Sequence, residues 1–460
     1  MNRLLGFIAS FALNGIGAAE PLDDFLKSPA LKTASVGFAM VPLDPPEEGE
    51  DPLSEVLHNP DQALTPASVQ KAITTATALQ ILGPDYRFVT KLYRSGDDVI
   101  IMGGGDPLLA STSLDAEFPA WHQALLDAGM TSIEGSLIAD PSFFEDCTTP
   151  NQWLWGDIGN YYGAGACGLC FHRNSFEITF QPGEVGQEAK MLSAYPRPPR
   201  VTFRNHMKTG TSGSGDQGYA YSGPERDLIT LRGTVPAGGQ FSIKGSLPNP
   251  ALSCLSAFRS YLKKKDFPVN DIEVKRGTAP KEEDLLLAVE SPSLAKIIVP
   301  TNMKSVNLNA ECLFKALTPE GKTTSSQKAL HTHWKEQGVD LTGFLAHDGS
   351  GLSPQNTLTA RQVAAILKLT NESEHAATFR ASLPIAGRTG TMRGFGRGTA
   401  AEGRVMAKSG SMERVRAWAG YLKTESNKRF AFALLINHYN GSDSAVRSAA
   451  SRFLAKLCEE

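Results

Sequence analysis

The chain changes texture twice along its length, and that interruption restricts its architecture more than any other feature. From about residue 66 to 82, Val69, Ala72, Ile73, Ala76 and Leu79 recur at helical spacing, and Gly83-Pro84 stops the run. Short alternating segments then take over, at 88–93 and 99–102, followed by the turn-rich Gly103-Gly104-Gly105-Asp106-Pro107. A helical stretch over 118–128 and a strand near 132–139 come next, and residues 191–245 are rich in Pro, Gly and Ser with short β-like runs. From about Leu287 helical patterns return, over 294–298, 306–317 and 360–369. Three strand-like runs close the chain, at 404–408, 415–423 and 429–437, separated by turn residues like an antiparallel meander and followed by a helical segment over 444–457. The pattern predicts a discontinuous α/β (α+β) domain built from residues 20–88 and 287–460. A large, mostly β region of two subdomains, residues 89–286, is inserted into it. A chain of 460 residues is too long for one ordinary core, in keeping with that division.

Charge removes several function classes. Lys and Arg number 45 against 48 Asp and Glu, a net charge of −3, and no long basic run occurs, so nucleic acid is not the expected partner. The N-terminus reads as an address. Met1-Asn2-Arg3 is positive, residues 4–16 are mostly apolar, and Gly17-Ala18-Ala19 supplies small residues for cleavage. Residues 1–19 are therefore expected to be a secretory signal peptide, which places the mature protein in the periplasm. No later run is apolar enough to span a bilayer, so no transmembrane anchor is expected after signal removal. Six cysteines fit an oxidising compartment, and Cys167-Gly-Leu-Cys170 is expected to pair structurally, with Cys147 as a candidate partner. His331-Thr332-His333 reads as a solvated helix face. No metal site and no cofactor are expected.

Three short motifs can carry chemistry. Ser68-Val69-Gln70-Lys71 places a hydroxyl and an amine three residues apart on one helix face, at a first turn whose partial positive charge favours a developing oxyanion. Lysine can act as the base for that serine if burial or neighbouring cations lower its pKa. The spacing alone proves little, because Ser260…Lys263, Ser293…Lys296 and Ser325…Lys328 share it. Ser305-Val306-Asn307 offers a hydroxyl that can relay a proton and an amide that can hold a peptide, with a plain helix cap at Ser305 as the rival reading. Lys408-Ser409-Gly410-Ser411 ends one strand-like run. Lys408 and the Ser409 hydroxyl would meet a carboxylate, and Gly410 would let a substrate backbone come close. Arg388-Thr389-Gly390-Thr391 has similar chemistry on paper but lacks the following alternating run, so Lys408 is preferred.

Taken in order, Ser-x-x-Lys, Ser-x-Asn and Lys-Ser-Gly resemble the signature of penicillin-recognising serine enzymes. The long gap between Ser68 and Ser305 is similar to that of class C low-molecular-mass penicillin-binding proteins, the D-alanyl-D-alanine carboxypeptidase/endopeptidases of the penicillin-binding protein 4 type. Further phrases match: Gly103 to Pro107, Ala139-Asp140-Pro141-Ser142-Phe143, Asn160-Tyr161-Tyr162, Asp348 to Ser353, and Ala386-Gly387-Arg388 through Gly398-Thr399. The resemblance implies a penicillin-binding serine transpeptidase-like catalytic domain that acts on peptidoglycan stem peptides and is acylated by β-lactam antibiotics. It implies Ser68 as nucleophile, Lys71 as base, Ser305 as proton relay, and Asn307 on the substrate amide. Lys408 and Ser409 would bind the terminal carboxylate, the Ser68 and Ser411 N–H groups would form the oxyanion hole, and Asp140 would bind the amino group of the peptide's third residue. Departures are Ser409 where threonine is usual, Val306, Pro354, and the charged pair Glu413-Arg414 near the expected channel. A β-lactamase-like hydrolase and a non-catalytic wall-binding protein on the same fold are the rival functions. The chain is long for the first, and the intact Ser68, Lys71, Ser305 and Lys408 argue against the second.

Overall fold

The computed structural model describes residues 19–45, 53–146 and 148–459. The predicted signal segment before Ala19 and Cys147 lie outside the described residues. The catalytic sheet has five strands: β1 (Ser35–Pro42), β2 (Val56–His58), β3 (Val405–Met412), β4 (Val415–Lys423) and β5 (Arg429–Asn437). They run in the order β3-β4-β5-β1-β2, each pair antiparallel. The N-terminal strand therefore closes onto the C-terminal meander, pairing Ser35 with Asn437, which makes the domain discontinuous in sequence.

β5 is buried along almost its whole length, so its sequence reads as a continuous apolar run. Its two faces nevertheless differ. Phe430, Phe432, Leu434 and Ile436 join Phe38, Met40 and Trp418 against the C-terminal helix Asp443–Glu459. Ala431, Ala433, Ala39, Ala417 and Ala419 occupy the other face, with Val363, Ile366 and Leu367 of the helix Ala360–Glu372. Small side chains on that face let helices lie close to the sheet.

The central helix α1 (Gln70–Leu82) is buried all round from Gln70 to Leu79, which explains why its pattern is only weakly amphipathic. Its buried threonines are satisfied locally: Thr75 Oγ1 donates to Lys71 O at 2.8 Å and Thr77 Oγ1 to Ile73 O at 2.7 Å. Gly83, at φ +81°, ends the helix where a side chain would be strained. α2 (Leu294–Met303) and α3 (Asn307–Lys315) pack beside it.

The inserted strands run from Val89 to Glu290, so the boundary drawn at 286 falls inside the strand Leu285–Glu290. One five-stranded sheet is mixed. Asp98–Met102 and Val269–Val274 both lie parallel to Ile133–Asp140, with helices Phe118–Asp127 and Pro250–Lys263 in the connections. Two three-stranded sheets follow, one holding Thr202–Gly210, Gln217–Tyr221 and Leu228–Pro236, the other Ser175–Gln181, Lys190–Tyr195 and Phe241–Ser246. Among the described residues no helix is long and apolar enough to cross a membrane.

The five described cysteines are buried free thiols, contrary to the pairing expected of Cys167 and Cys170. Cys170 instead lies 3.7 Å from Cys312 Sγ, and its thiol donates to Cys167 O. Their apolar surroundings push the Cys167 thiol up to about 12, leaving it inert. His331 packs edge-on to Phe344, and His333 meets Gln80 Oε1 at 2.9 Å.

Candidate active site

Ser68 sits in a tight turn, Ala67–Val69, immediately before α1. Two features fix that turn. Asn437, at the end of β5, accepts from Thr65 N at 2.8 Å and donates to Thr65 O at 3.0 Å. Ala67 adopts φ +45°, with the loop around Gly351 packed against it so closely that a Cβ on Gly351 would fall 1.9 Å from Ala67 O. The nucleophile is thus held from the sheet and from a loop 280 residues away.

Lys71 is fully buried in the first turn of the helix, and its Nζ donates to Ser68 Oγ at 2.9 Å and to Ser350 O at 2.6 Å. Burial lowers its pKa to about 7, against the opposing pull of Asp348 and Glu311. A neutral amine within reach of a serine hydroxyl is a general base.

The loop that seats Lys71 is built from buried polar groups. Glu311 of α3 accepts from Ser350 N at 2.7 Å and Gly349 N at 3.3 Å. Asp348 accepts from Trp153 Nε1, Gly351 N, Ser353 N and Asn356 Nδ2, all at 2.6–2.7 Å. Burial, with Asp348 nearby, raises the Glu311 carboxyl to about 7. With its oxygens held by backbone N–H groups, Glu311 shapes the Lys71 seat and is not free to activate water.

Ser305 precedes α3 in a left-handed conformation, φ +58°, a strain of about 1–3 kcal/mol for a residue with a side chain. It caps nothing. Val306 is the cap residue, and Ser305 Oγ accepts from Lys408 Nζ at 3.0 Å. Lys408 is also fully buried, and burial together with the nearby Lys71 charge holds its pKa well below the ordinary value. The structure therefore brings Ser68, Lys71, Ser305 and Lys408 into one cluster. Asn307 opens α3, and its amide donates to Tyr162 O at 2.6 Å, tying the inserted region to the wall of the site. On that wall Tyr162 hydrogen-bonds the half-buried Asp157, whose carboxyl burial raises.

β3 is the edge strand, and it continues through Lys408-Ser409-Gly410-Ser411 to Met412 rather than ending at Lys408. Residues 384–386 cover the first half of its free edge: Ala386 N donates to Val405 O at 2.8 Å and Ala407 N to Pro384 O at 2.9 Å. With a period of two, Ser409 and Ser411 present their N–H and C=O groups to the same edge beyond that cover. An extended peptide can pair there.

Two site residues are held by the fold itself. Gly410 is one: a Cβ there would lie 2.6 Å from Pro66 O and 3.1 Å from Ser68 N. Gly410→Ala is accordingly expected to cost about 1–3 kcal/mol by overpacking and to slow acylation by shifting Ser68, read by thermal unfolding and by adduct formation. Asp140 is the second. It is buried at the end of its strand, and its carboxylate accepts from Ser142 N, Gly277 N, Thr278 N and Thr278 Oγ1. Those bonds hold the acid well ionised and leave it structural. The charge near the channel is also redirected, since Arg414 donates to His438 O and Tyr439 O.

The profile of the D-Ala-D-Ala carboxypeptidase 3 (S13) family matches residues 18–457. The chain belongs to that family. The S13 chain is 29% identical over 468 residues to a D-alanyl-D-alanine carboxypeptidase of an Actinomadura species, covering 95% of this chain and 84% of the relative. It is 23% identical to the D-alanyl-D-alanine carboxypeptidase DacB of Haemophilus influenzae, over 84% and 83% of the two chains. The fold matches the crystal structure of penicillin binding protein 4 from the same species with a TM-score of 0.80 at 21% identity, covering 96% and 98% of the chains. The S13 protein is a serine-type D-Ala-D-Ala carboxypeptidase of the penicillin-binding kind.

Proposed function

We propose that this S13 enzyme cleaves the terminal D-Ala-D-Ala bond of peptidoglycan stem peptides through an acyl-enzyme on Ser68, outside the cytoplasmic membrane. The observation that carries the assignment of roles is the 2.9 Å contact between Ser68 Oγ and a Lys71 amine brought to about pKa 7 by burial. Lys71 takes the Ser68 proton as Oγ attacks the carbonyl. The oxyanion forms between the Ser68 and Ser411 N–H groups, each worth roughly 3 kcal/mol in sites of this kind. Ser305, bonded to Lys408, gives its hydroxyl proton to the leaving D-alanine and takes in its place the proton held by Lys71, which leaves both side chains as they began. Ser409 and Lys408 receive the terminal carboxylate, and water then releases the acyl group. β-Lactams are stopped at the acyl stage. A solved structure of the Haemophilus influenzae relative contains a novel β-lactam, which supports that expectation.

Asp157 takes over the role first given to Asp140. It stands on the inserted wall, linked through Tyr162 to Asn307, and would meet an amino group on the third residue of the stem peptide. The test measures D-alanine release from a D-Ala-D-Ala peptide with a free or an acetylated third-residue amine. The wild type should release D-alanine and prefer the free amine, and Asp157→Asn should lose about 1–3 kcal/mol of that preference. No release from the folded wild type would refute the reaction, and an unchanged preference would refute the Asp157 role. Cleavage of a crosslinked dimer in the same assay separates endopeptidase from carboxypeptidase action.

A further inference from the structure

The segment Arg388-Thr389-Gly390-Thr391, set aside on sequence as an imitation of the third motif, lies against that motif. After pairing antiparallel with β3 from Ala407 back to Val405, the chain leaves the strand edge, with Thr389 Oγ1 accepting from Ile385 N at 2.9 Å and Gly387 N donating to Met392 O at 3.0 Å. It folds into the tight turn Gly390–Met392. Gly390, at φ +53°, fits only because it has no side chain, since a Cβ would come within 2.6 Å of Met303 O, just before Lys304-Ser305. The turn is thereby anchored between the approach to Ser305 and the open half of β3. At its centre the half-buried Thr391 accepts from Ser409 Oγ at 2.8 Å.

That bond matters because of which residue stands at 409. A threonine hydroxyl is restrained about χ1 by β-branching, whereas a serine hydroxyl is free to choose among three staggered positions. A carboxylate is acceptor-only, so a hydroxyl that binds it must point its proton at it. In the free enzyme Ser409 directs its proton at Thr391 instead. The two hydroxyls can exchange roles by rotation about their C–O bonds.

We propose that Thr391 is a positioning residue for the substrate's terminal carboxylate. It holds Ser409 Oγ in the rotamer that faces the open strand edge, and it donates to Ser409 once Ser409 has turned its own proton to the carboxylate. Thr391 thus supplies by hydrogen bond the restraint that Ser409 lacks by being unbranched. The inference rests on the carboxypeptidase reading above, in which Ser409 meets that carboxylate.

The experiment compares wild type, Thr391→Val, Ser409→Thr and the double variant, measuring second-order acylation rates with benzylpenicillin and with its methyl ester. Thr391→Val should slow acylation by the free acid about fivefold, equivalent to about 1 kcal/mol, and change the ester rate by less than about twofold. In the Ser409→Thr background the same change should cost the free acid less than about twofold, because the branched side chain restores the restraint. The unchanged ester rate also shows that the variant is folded. Equal losses with acid and ester, no loss with either, or the full loss retained beside Thr at 409 would each overturn the role of Thr391. Absence of a wild-type adduct with both probes would overturn the parent reading instead.

Discussion

A Ser68→Ala variant is expected to fold as the wild type does, form no covalent penicillin adduct, and lose roughly a millionfold of its turnover. Folding should survive because the turn is not held by the hydroxyl. Its backbone is fixed by the Asn437 clamp on Thr65, by Val69 N donating to Pro66 O at 3.2 Å, and by the Gly410 and Gly351 contacts. The one bond lost is the acceptor for Lys71 Nζ, which keeps Ser350 O at 2.6 Å. Chemistry should not survive. Among the three rival Ser-x-x-Lys pairs, Ser260 Oγ donates back to Ser256 O on the exposed face of its helix, Ser293 is the cap residue of α2, and Ser325 lies within the helix Thr323–Glu336. None of them faces Ser305 or Lys408 in the way Ser68 faces Lys71. Residual turnover should come from the oxyanion donors and substrate pairing alone. Intact-protein mass after incubation with benzylpenicillin reads the result: one adduct per wild-type chain and none in the variant. An adduct on Ser68→Ala, at any residue, would remove Ser68 as the nucleophile.

Local pattern and chain order account for what the sequence discloses. Val69, Ile73 and Leu79 mark a helix because their spacing is set by the helix itself, and the meander at the C-terminus is legible because consecutive strands pair with one another. The sequence does not disclose the helices Pro250–Lys263 and Thr323–Glu336; the second carries polar residues over most of its surface and buries only Ser326, Leu330 and Trp334. The mixed sheet of the insert is legible only as β because parallel pairing is made between strands distant in sequence. The active site divides in the same way. Ser68 and Lys71 lie three residues apart across one turn-to-helix junction, but the carbonyl that seats the amine belongs to Ser350, and the carboxylate that orients Ser350 belongs to Glu311. No spacing rule joins positions 71, 311 and 350. Gly410 shows the limit at single-residue scale. Its motif predicts a glycine facing substrate, and the fold adds a need the motif does not show, because strand and nucleophile turn nearly touch.

Lys71 offers the second large effect, and the choice of replacement separates charge from basicity. Lys71→Met should slow penicillin acylation by about 10²–10⁴-fold, the range a general base supplies. Lys71→Arg keeps the positive charge beside Ser68 but cannot release its proton at accessible pH, so it should lose as much as the methionine variant. The pH dependence follows from the same amine. Burial sets its pKa at about 7, and only the neutral form can accept the Ser68 proton. Wild-type acylation should therefore be slow below about pH 6, rise through 7, and level off above it. Protons bound below that point block the base, so the sign is a gain with rising pH. Glu311, raised to about 7 beside it, takes part in the same transition, and the observed midpoint is a property of the pair. Glu311→Gln removes one member and should move the midpoint down, because it takes away a negative charge that favours protonated Lys71. Stopped-flow acylation from pH 5 to 10 reads both effects. A Lys71→Arg enzyme that keeps most of the wild-type rate would show that residue 71 acts through its charge, and the proton from Ser68 would then need another acceptor.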